Sequence, residues 1–178
     1  MKRTIVNPVI KDIATFVKTS KESNSTVSEI EIVVMPGGGN ILHYHKTYSE
    51  TFVAVEGDLG VKLKDEFKIL KPSERYTVKP MELHAFFNPG GRPVKFKVLI
   101  EPGHEGFENS LRILYGLAAD GLTDKKSIPK KLTHTALVLT MSDMNAPGFL
   151  TWIFPLLRWI ANGEKARREE RRLMQRYC

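Results

Sequence analysis

The chain has 178 residues, of which 27 are Lys or Arg and 20 are Asp or Glu, so its formal net charge is +7. With 42% apolar and 26% charged residues, it is typical of one globular domain with or without an appendage, and unlike collagen-like or low-complexity chains. The one cysteine, Cys178, excludes an intramolecular disulfide and a zinc site built from several cysteines.

The first hundred residues have the pattern of short β-strands. Residues 30–35, 51–56 and 94–98 are rich in β-branched and aromatic residues or alternate apolar with charged ones, and Gly- and Pro-containing turns separate them. Strands spaced in this way predict a sandwich or barrel.

The first residues contain no apolar run of the kind that secretory signals have, so the cytoplasm is the expected compartment.

The pattern becomes helical near Gly103, where apolar residues begin to recur at three- and four-residue spacing. The predicted helices span 107–119, 131–144, 149–161 and 164–177. Pro155 would kink the third helix or mark its start. We therefore predict two parts, a β-module over residues 1–105 and a helical extension over 106–178 that packs on the barrel, on a partner subunit or on a membrane surface.

Positive charge is concentrated at the end of the chain, because residues 158–176 contain seven Lys or Arg and three Glu. Glutamates stand among the arginines and no aromatic residue interrupts residues 164–176. This pattern favours ion pairs on a helix surface over nucleic-acid binding. No nucleic-acid partner is therefore expected.

The third predicted helix is the most apolar segment and contains both tryptophans. At 1.5 Å per residue it would span about 20 Å, less than the roughly 30 Å hydrocarbon core, so a membrane span is not predicted. The favoured interpretation is packing against the barrel or a second subunit, in keeping with an expected homodimer. The alternative is peripheral membrane contact through residues 149–176, with Trp152 and Trp159 at the interface.

The segment 37–57 carries the residues with the clearest chemistry. His43 and His45 are one pleat apart on a strand and therefore point the same way, and Glu50 follows where the next strand begins. His84 lies on a later strand-like run. Three imidazoles and one carboxylate suit a divalent first-row metal, with one or two coordination positions open.

This segment resembles the first motif of the cupin family, which runs Gly, five residues, His-x-His, three or four residues, Glu, six residues, Gly. The matching residues are Gly37, His43, His45, Glu50 and Gly57. The second cupin motif, aligned on His84, keeps that histidine and Asn88. It has Ser73, Lys79 and Met81 where Gly, Pro and Gly are usual, so we expect the turn before His84 to change.

The resemblance covers about residues 5–102 and implies a mainly β fold, the double-stranded β-helix or jelly-roll barrel of cupins, followed here by helices. It implies that His43, His45, Glu50 and His84 hold a divalent metal such as Fe, Mn, Ni or Zn. Cupins include dioxygenases, decarboxylases, isomerases and hydrolases, and also proteins that only bind a ligand. The expected function is binding of a small oxygen-rich molecule at the metal, with dioxygenase or isomerase activity left open. A non-catalytic scaffold or ligand sensor is the alternative.

Other polar residues could also take part in such a site. His104 and His134 are predicted to be surface or packing residues, and no general base is assigned. Tyr48, Arg75 and Tyr76 are candidates to bind an anionic substrate if their side chains point into the barrel.

Overall fold

A computed structural model describes residues 2–148 and 150–178, which form nine strands followed by four helices. The strands are β1 Thr4–Asn7, β2 Asp12–Lys18, β3 Ser28–Val34, β4 Ser49–Glu56, β5 Leu59–Leu63, β6 Phe67–Leu70, β7 Arg75–Val78, β8 His84–Phe87 and β9 Val94–Glu101. The helices are α1 Glu105–Ala119, α2 Leu132–Met141, α3 Leu150–Asn162 and α4 Glu164–Tyr177. Phe149, where the third helix was predicted to begin, lies outside the described residues.

The strands form two antiparallel sheets that together make up the barrel. The larger sheet has the order β1-β2-β3-β9-β4-β7, and the smaller has the order β6-β5-β8. Two isolated bridges, Gly39 with Phe87 and His43 with His84, place the segment before β4 beside β8. This arrangement is the jelly roll followed by helices that the sequence predicts.

Apolar side chains from both sheets meet in the barrel interior. Every second residue of β3 is buried, as expected for a strand with one face on the core. Phe86 of the smaller sheet lies with its ring centroid 5.0 Å from that of Phe96 and 6.2 Å from that of Phe52, both in the larger sheet. Such aromatic packing stabilises the contact between the sheets beyond the area that it buries. Glu50 lies two residues before Phe52 on β4 and therefore shares its interior face.

Several turns around the barrel need left-handed backbone. Gly37 and Gly57 have φ of +75° and +78°, which explains glycine at both ends of the first motif. Ser73 and Met81 have φ of +76° and +73°, although neither is glycine. The turn before His84 therefore keeps the backbone conformation that glycine favours, and the expected change is not seen.

The helices end close to where the sequence predicts, with one informative exception. Helix α2 stops at Met141, three residues before its predicted end, and Asp143 adopts a left-handed φ of +49°. Asp tolerates that conformation better than most residues, so it can end a helix. Pro155 lies inside α3 and does not mark its start.

The helical extension contacts the barrel mainly through α1. Phe107, Leu111 and Leu114 pack against the barrel core, while Ile113 and Leu117 face a second apolar cluster formed with the other three helices. Among the described helices, none is both long and apolar enough to cross a membrane.

Candidate metal centre

The four predicted ligands come from different pieces of the barrel and meet in its interior. His43 and His84 face each other across a bridge with two backbone hydrogen bonds, of 2.9 and 2.8 Å. Glu50 is the second residue of β4, and His45 lies in the connection before it. None of the four is more than 5% exposed. The fold thus brings together all four of the predicted metal ligands.

The distances among the ligand atoms suit one bound ion. His43 Nε2 lies 3.0 Å from His45 Nε2, Glu50 Oε2 lies 2.8 Å from His84 Nε2, and Glu50 Oε2 lies 3.6 Å from His45 Nε2. One ligand atom from each residue lies within 4.8 Å of all the others. Adjacent ligands about 2.1 Å from a common ion are roughly 3.0 to 3.4 Å apart, so the group needs little adjustment to hold a metal.

Hydrogen bonds on the far side of two imidazole rings fix their tautomers. His43 Nδ1 lies 2.8 Å from the carbonyl oxygen of Ile41, and His84 Nδ1 lies 2.9 Å from that of Glu82. Because a carbonyl oxygen only accepts, both Nδ1 atoms must carry hydrogen. Nε2, the atom that faces the other ligands, is then the free coordinating position in each neutral ring.

The third ring, His45, is fixed by Tyr48. The Tyr48 hydroxyl lies 2.7 Å from His45 Nδ1 and 2.7 Å from the carbonyl oxygen of Ser142. The hydroxyl has one hydrogen, which it donates to the carbonyl, so His45 Nδ1 donates to the hydroxyl oxygen. All three histidines therefore present Nε2 to the site.

The electrostatics of the site favour a charged Glu50 carboxylate beside His84. Burial, together with the nearby His84 and His45, lowers the pKa of His43 to about 3, so this ring is neutral. Burial alone would raise the pKa of Glu50, but the neighbouring His45 and His84 outweigh it and lower that pKa. Burial also opposes the charged form of His84, yet the hydrogen bond to Glu50 raises its pKa.

The remaining candidates have other roles. Tyr48 is buried and held by the hydrogen bonds above, whereas the Arg75 side chain is exposed and the Tyr76 side chain is half-buried. His104 caps α1 by accepting from Phe107 N, and His134 is buried at 2.8 Å from Glu169. Neither histidine belongs to the metal-ligand group.

Comparison with known protein families also identifies a cupin domain in this part of the chain. Residues 30–101, which include all four candidate ligands, match the family model described as the cupin domain. No curated protein is similar enough in sequence to count as a match.

Solved structures resemble the barrel. An RmlC-like cupin from Shewanella frigidimarina has a TM-score of 0.50 at 18% identity, covering 58% of this chain and 86% of that one. A predicted oxalate decarboxylase from Thermotoga maritima has a TM-score of 0.50 at 16% identity, covering 56% and 90%. At these identities the likeness shows the jelly-roll fold alone.

Proposed function

We propose that this chain, which carries a cupin domain, holds a divalent metal with His43, His45, Glu50 and His84 and uses it to bind a small oxygen-rich molecule. The observation that carries the proposal is that Nδ1 of all three rings is hydrogen-bonded to the surrounding protein, which leaves each Nε2 for the four-residue ligand group. Such agreement is what outer hydrogen bonds provide around metal-ligating histidines. Dioxygenase or isomerase activity would be an extension of this binding function.

Charge and burial narrow the kind of ligand. A divalent ion beside the single carboxylate of Glu50 leaves a net positive charge in a buried site, which favours anionic or oxygen-rich ligands. When bound, the metal would supply Lewis-acid polarisation of a carbonyl or water oxygen, or redox chemistry if it is iron. The ligand side chains are almost inaccessible to solvent, which favours a small molecule.

Metal analysis of the purified protein, followed by titration of the metal-free protein with Fe(II), Mn(II), Ni(II) and Zn(II), tests the proposal. One ion should bind per chain and be lost in the double variant His43→Ala/His45→Ala. Binding of oxalate, a catechol and a β-diketone should then require the metal, and oxygen uptake or product isomers would reveal catalysis. A protein that binds none of the four ions with its stability unchanged would refute the proposal.

A second candidate function, a scaffold attached to a membrane surface, is favoured by α3. One face of this helix packs in the helical cluster through Leu157 and Ala161. On the other face Trp152, Leu156 and Trp159 are 83%, 54% and 74% exposed, at spacings of four and three residues. Exposed tryptophans in one stripe are typical of helices that lie at a bilayer interface.

Charge beside this stripe matches an anionic bilayer. Trp159 and Lys165 line the same surface hollow. Within residues 2–148 and 150–178, Lys165, Arg167 and Arg171 form no ion pair, whereas Arg168 pairs with Glu164. Unpaired cations on α4, of which Lys165 lies beside the apolar stripe, are attracted to acidic headgroups.

Co-sedimentation with phosphatidylcholine vesicles, with and without phosphatidylglycerol, tests this attachment. Binding should require the anionic lipid and fall in Trp152→Ala/Trp159→Ala, while Phe67→Ala, at an exposed aromatic residue of the barrel, should bind as the wild type does. Absence of lipid-dependent sedimentation would refute the attachment. A dimer in solution that buries both tryptophans would instead assign the stripe to a second copy of the chain, in line with the predicted homodimer.

A further inference from the structure

The helical extension reaches the candidate metal site through residues 142–145, which follow α2 and are called here the clamp. Asn145 and Tyr44 exchange two backbone hydrogen bonds, Tyr44 N to Asn145 O at 2.9 Å and Asn145 N to Tyr44 O at 3.0 Å. Tyr44 stands between the two histidines of the first motif. The clamp is therefore paired with the segment of backbone that carries His43 and His45.

Two clamp residues act on His45 itself. The carbonyl oxygen of Ser142 takes the only hydrogen of the Tyr48 hydroxyl, which forces that hydroxyl to accept from His45 Nδ1. The carbonyl oxygen of Asp143 is a second, longer acceptor for the same nitrogen, at 3.3 Å. The clamp thus decides which nitrogen of His45 is left for a metal.

The side chain of Asp143 holds the connection between His45 and Glu50. Its Oδ2 accepts from the backbone nitrogens of Lys46 and Thr47, at 2.6 and 2.9 Å, and from Thr47 Oγ1 at 2.9 Å. Three donors on one carboxylate oxygen restrain this connection, since charge-assisted hydrogen bonds are stronger than neutral ones.

The clamp is also tied to α3. Arg158 Nη2 donates to Asn145 Oδ1 at 2.8 Å and lies 3.7 Å from Asp143 Oδ1. Asn145 Nδ2 in turn donates to the carbonyl oxygen of Asp143 at 2.7 Å. These bonds connect the clamp, which directly follows α2, to α3, and the cupin motifs include neither helix.

We propose that residues 142–145 are a positioning element of the metal site, which sets the tautomer and orientation of His45 through Tyr48 and restrains the connection to Glu50 through Asp143. The helical extension is then a working part of the site, although it supplies no ligand. The expected effect on metal affinity rests on the proposed metal function. The tautomer of His45, however, can be tested without metal.

The decisive variant is Tyr48→Phe, which removes the hydroxyl and keeps the ring. Long-range proton–nitrogen spectra of the histidine rings, recorded on the metal-free protein above the titration range of an ordinary histidine, report each tautomer. Wild-type His45 should carry hydrogen on Nδ1, and the variant should show a mixture with hydrogen on Nε2. Tyr115→Phe is the matched control, because it removes the hydroxyl of another buried tyrosine, in α1, that takes no part in this chain of hydrogen bonds. It should give the wild-type spectrum.

Metal affinity gives the second measurement, by competition of Zn²⁺ with a chromogenic chelator. The dissociation constant should rise by about 10- to 100-fold in Tyr48→Phe, the usual effect of losing a partner of a metal-ligating histidine. It should stay at the wild-type value in Tyr115→Phe. Asp143→Ala should weaken binding, and Asp143→Asn, which keeps an acceptor oxygen and tolerates the left-handed backbone, should restore part of it.

The outcomes separate the clamp from the metal function. Wild-type affinity in Tyr48→Phe, or a wild-type His45 with hydrogen on Nε2, would overturn the positioning role. If the wild-type protein binds no Zn²⁺, Fe(II), Mn(II) or Ni(II), the metal function fails, and the tautomer spectra alone decide whether the clamp fixes His45.

Discussion

Glu50 and His84 meet 2.8 Å apart, Oε2 to Nε2, in a region where neither residue is more than 5% exposed. Since His84 Nδ1 already donates to the Glu82 carbonyl, a hydrogen bond from Nε2 to the carboxylate makes the ring doubly protonated. The raised pKa of His84 and the lowered pKa of Glu50 agree with this ion pair. A metal that uses both atoms must displace the proton between them.

Metal binding should therefore release a proton and depend on pH. Below the raised pKa of His84 the metal replaces a proton, so affinity should increase as pH rises and should level off above that pKa. Calorimetric titration with Zn²⁺ in buffers of different ionisation enthalpy measures the release, about one proton per ion on the acidic side. Affinity that is independent of pH across this range would contradict the ion pair.

Glu50→Gln tests the carboxylate. The substitution keeps the size of the side chain but removes the charge that favours both the metal and the imidazolium, so Zn²⁺ affinity should fall by at least about 100-fold. Glu56→Gln, at the exposed end of the same strand, is the matched control and should bind as the wild type does. Equal affinity of both variants would remove Glu50 from the ligand set.

Bound metal should stabilise the fold. A ligand at 100 times its dissociation constant adds about 2.7 kcal/mol, which corresponds to a rise in Tm of roughly 5 to 10 °C for a chain of this size. Thermal scans should show this rise with Zn²⁺ and a smaller one with Ca²⁺, which prefers oxygen ligands. His43→Ala/His45→Ala should show no rise, and an equal rise there would place the metal elsewhere.

The sequence could predict the barrel and the ligand group because both follow from short-range patterns. Alternation along β3 and β9 indicates half-buried strands. His43, His45 and Glu50 lie within eight consecutive residues, so their spacing can be recognised directly in the sequence. His84 needed the family motif, since it is 34 residues from Glu50. The contact of its Nδ1 with the Glu82 carbonyl depends on the folded backbone and has no signal in the sequence.

The clamp could not be predicted, because its contacts join residues about a hundred positions apart. The contact between Tyr48 and Ser142 depends on where α2 ends, and apolar Met144 extended the predicted helix past its true end at Met141. A signal was nevertheless present in Asp143, a residue that favours turns and helix ends and interrupts the apolar pattern. The sequence also leaves Tyr48 as a candidate to bind substrate, because it does not reveal the contact with Ser142.

Met81→Gly should stabilise the protein. Met81 has a left-handed φ of +73° and an exposed side chain, so glycine relieves the backbone at little loss of packing. Left-handed backbone costs about 1 to 2 kcal/mol in a non-glycine residue, and the greater freedom of unfolded glycine offsets about half of this. A gain of roughly 0.5 to 1 kcal/mol is expected in urea unfolding. Lys79→Gly, at an exposed position outside the left-handed residues, should instead destabilise.

The two faces of α3 should differ in their contribution to stability. Trp152 and Trp159 are exposed, so Trp152→Ala/Trp159→Ala should change the free energy of unfolding by no more than about 0.5 kcal/mol. Leu157 is 7% exposed and lies in the helical cluster. Leu157→Ala should therefore lower the free energy of unfolding by about 2 to 5 kcal/mol. Circular dichroism is the suitable probe, since the double variant has no tryptophan. A large loss in the double variant would mean that the tryptophans are packed.

Asp12 is a buried carboxyl group outside the metal site. It is 2% exposed at the start of β2, and within the described residues its Oδ1 has no hydrogen-bond partner. Burial disfavours the charged form and raises the pKa of Asp12 to about 7. In the unfolded chain an aspartate titrates near its ordinary pKa of about 3.9.

The contribution of Asp12 to stability should therefore fall between about pH 4 and pH 7, because its native carboxyl group keeps a proton that the unfolded chain has lost. A shift of about 3 pKa units corresponds to roughly 4 kcal/mol over the whole window. Asp12→Asn cannot titrate, so the difference in unfolding free energy between the wild type and this variant should grow in its favour as pH rises. Asp65→Asn, at a side chain that is 84% exposed, should keep the wild-type slope. Parallel pH profiles for the wild type and Asp12→Asn would show that Asp12 titrates normally in the native protein.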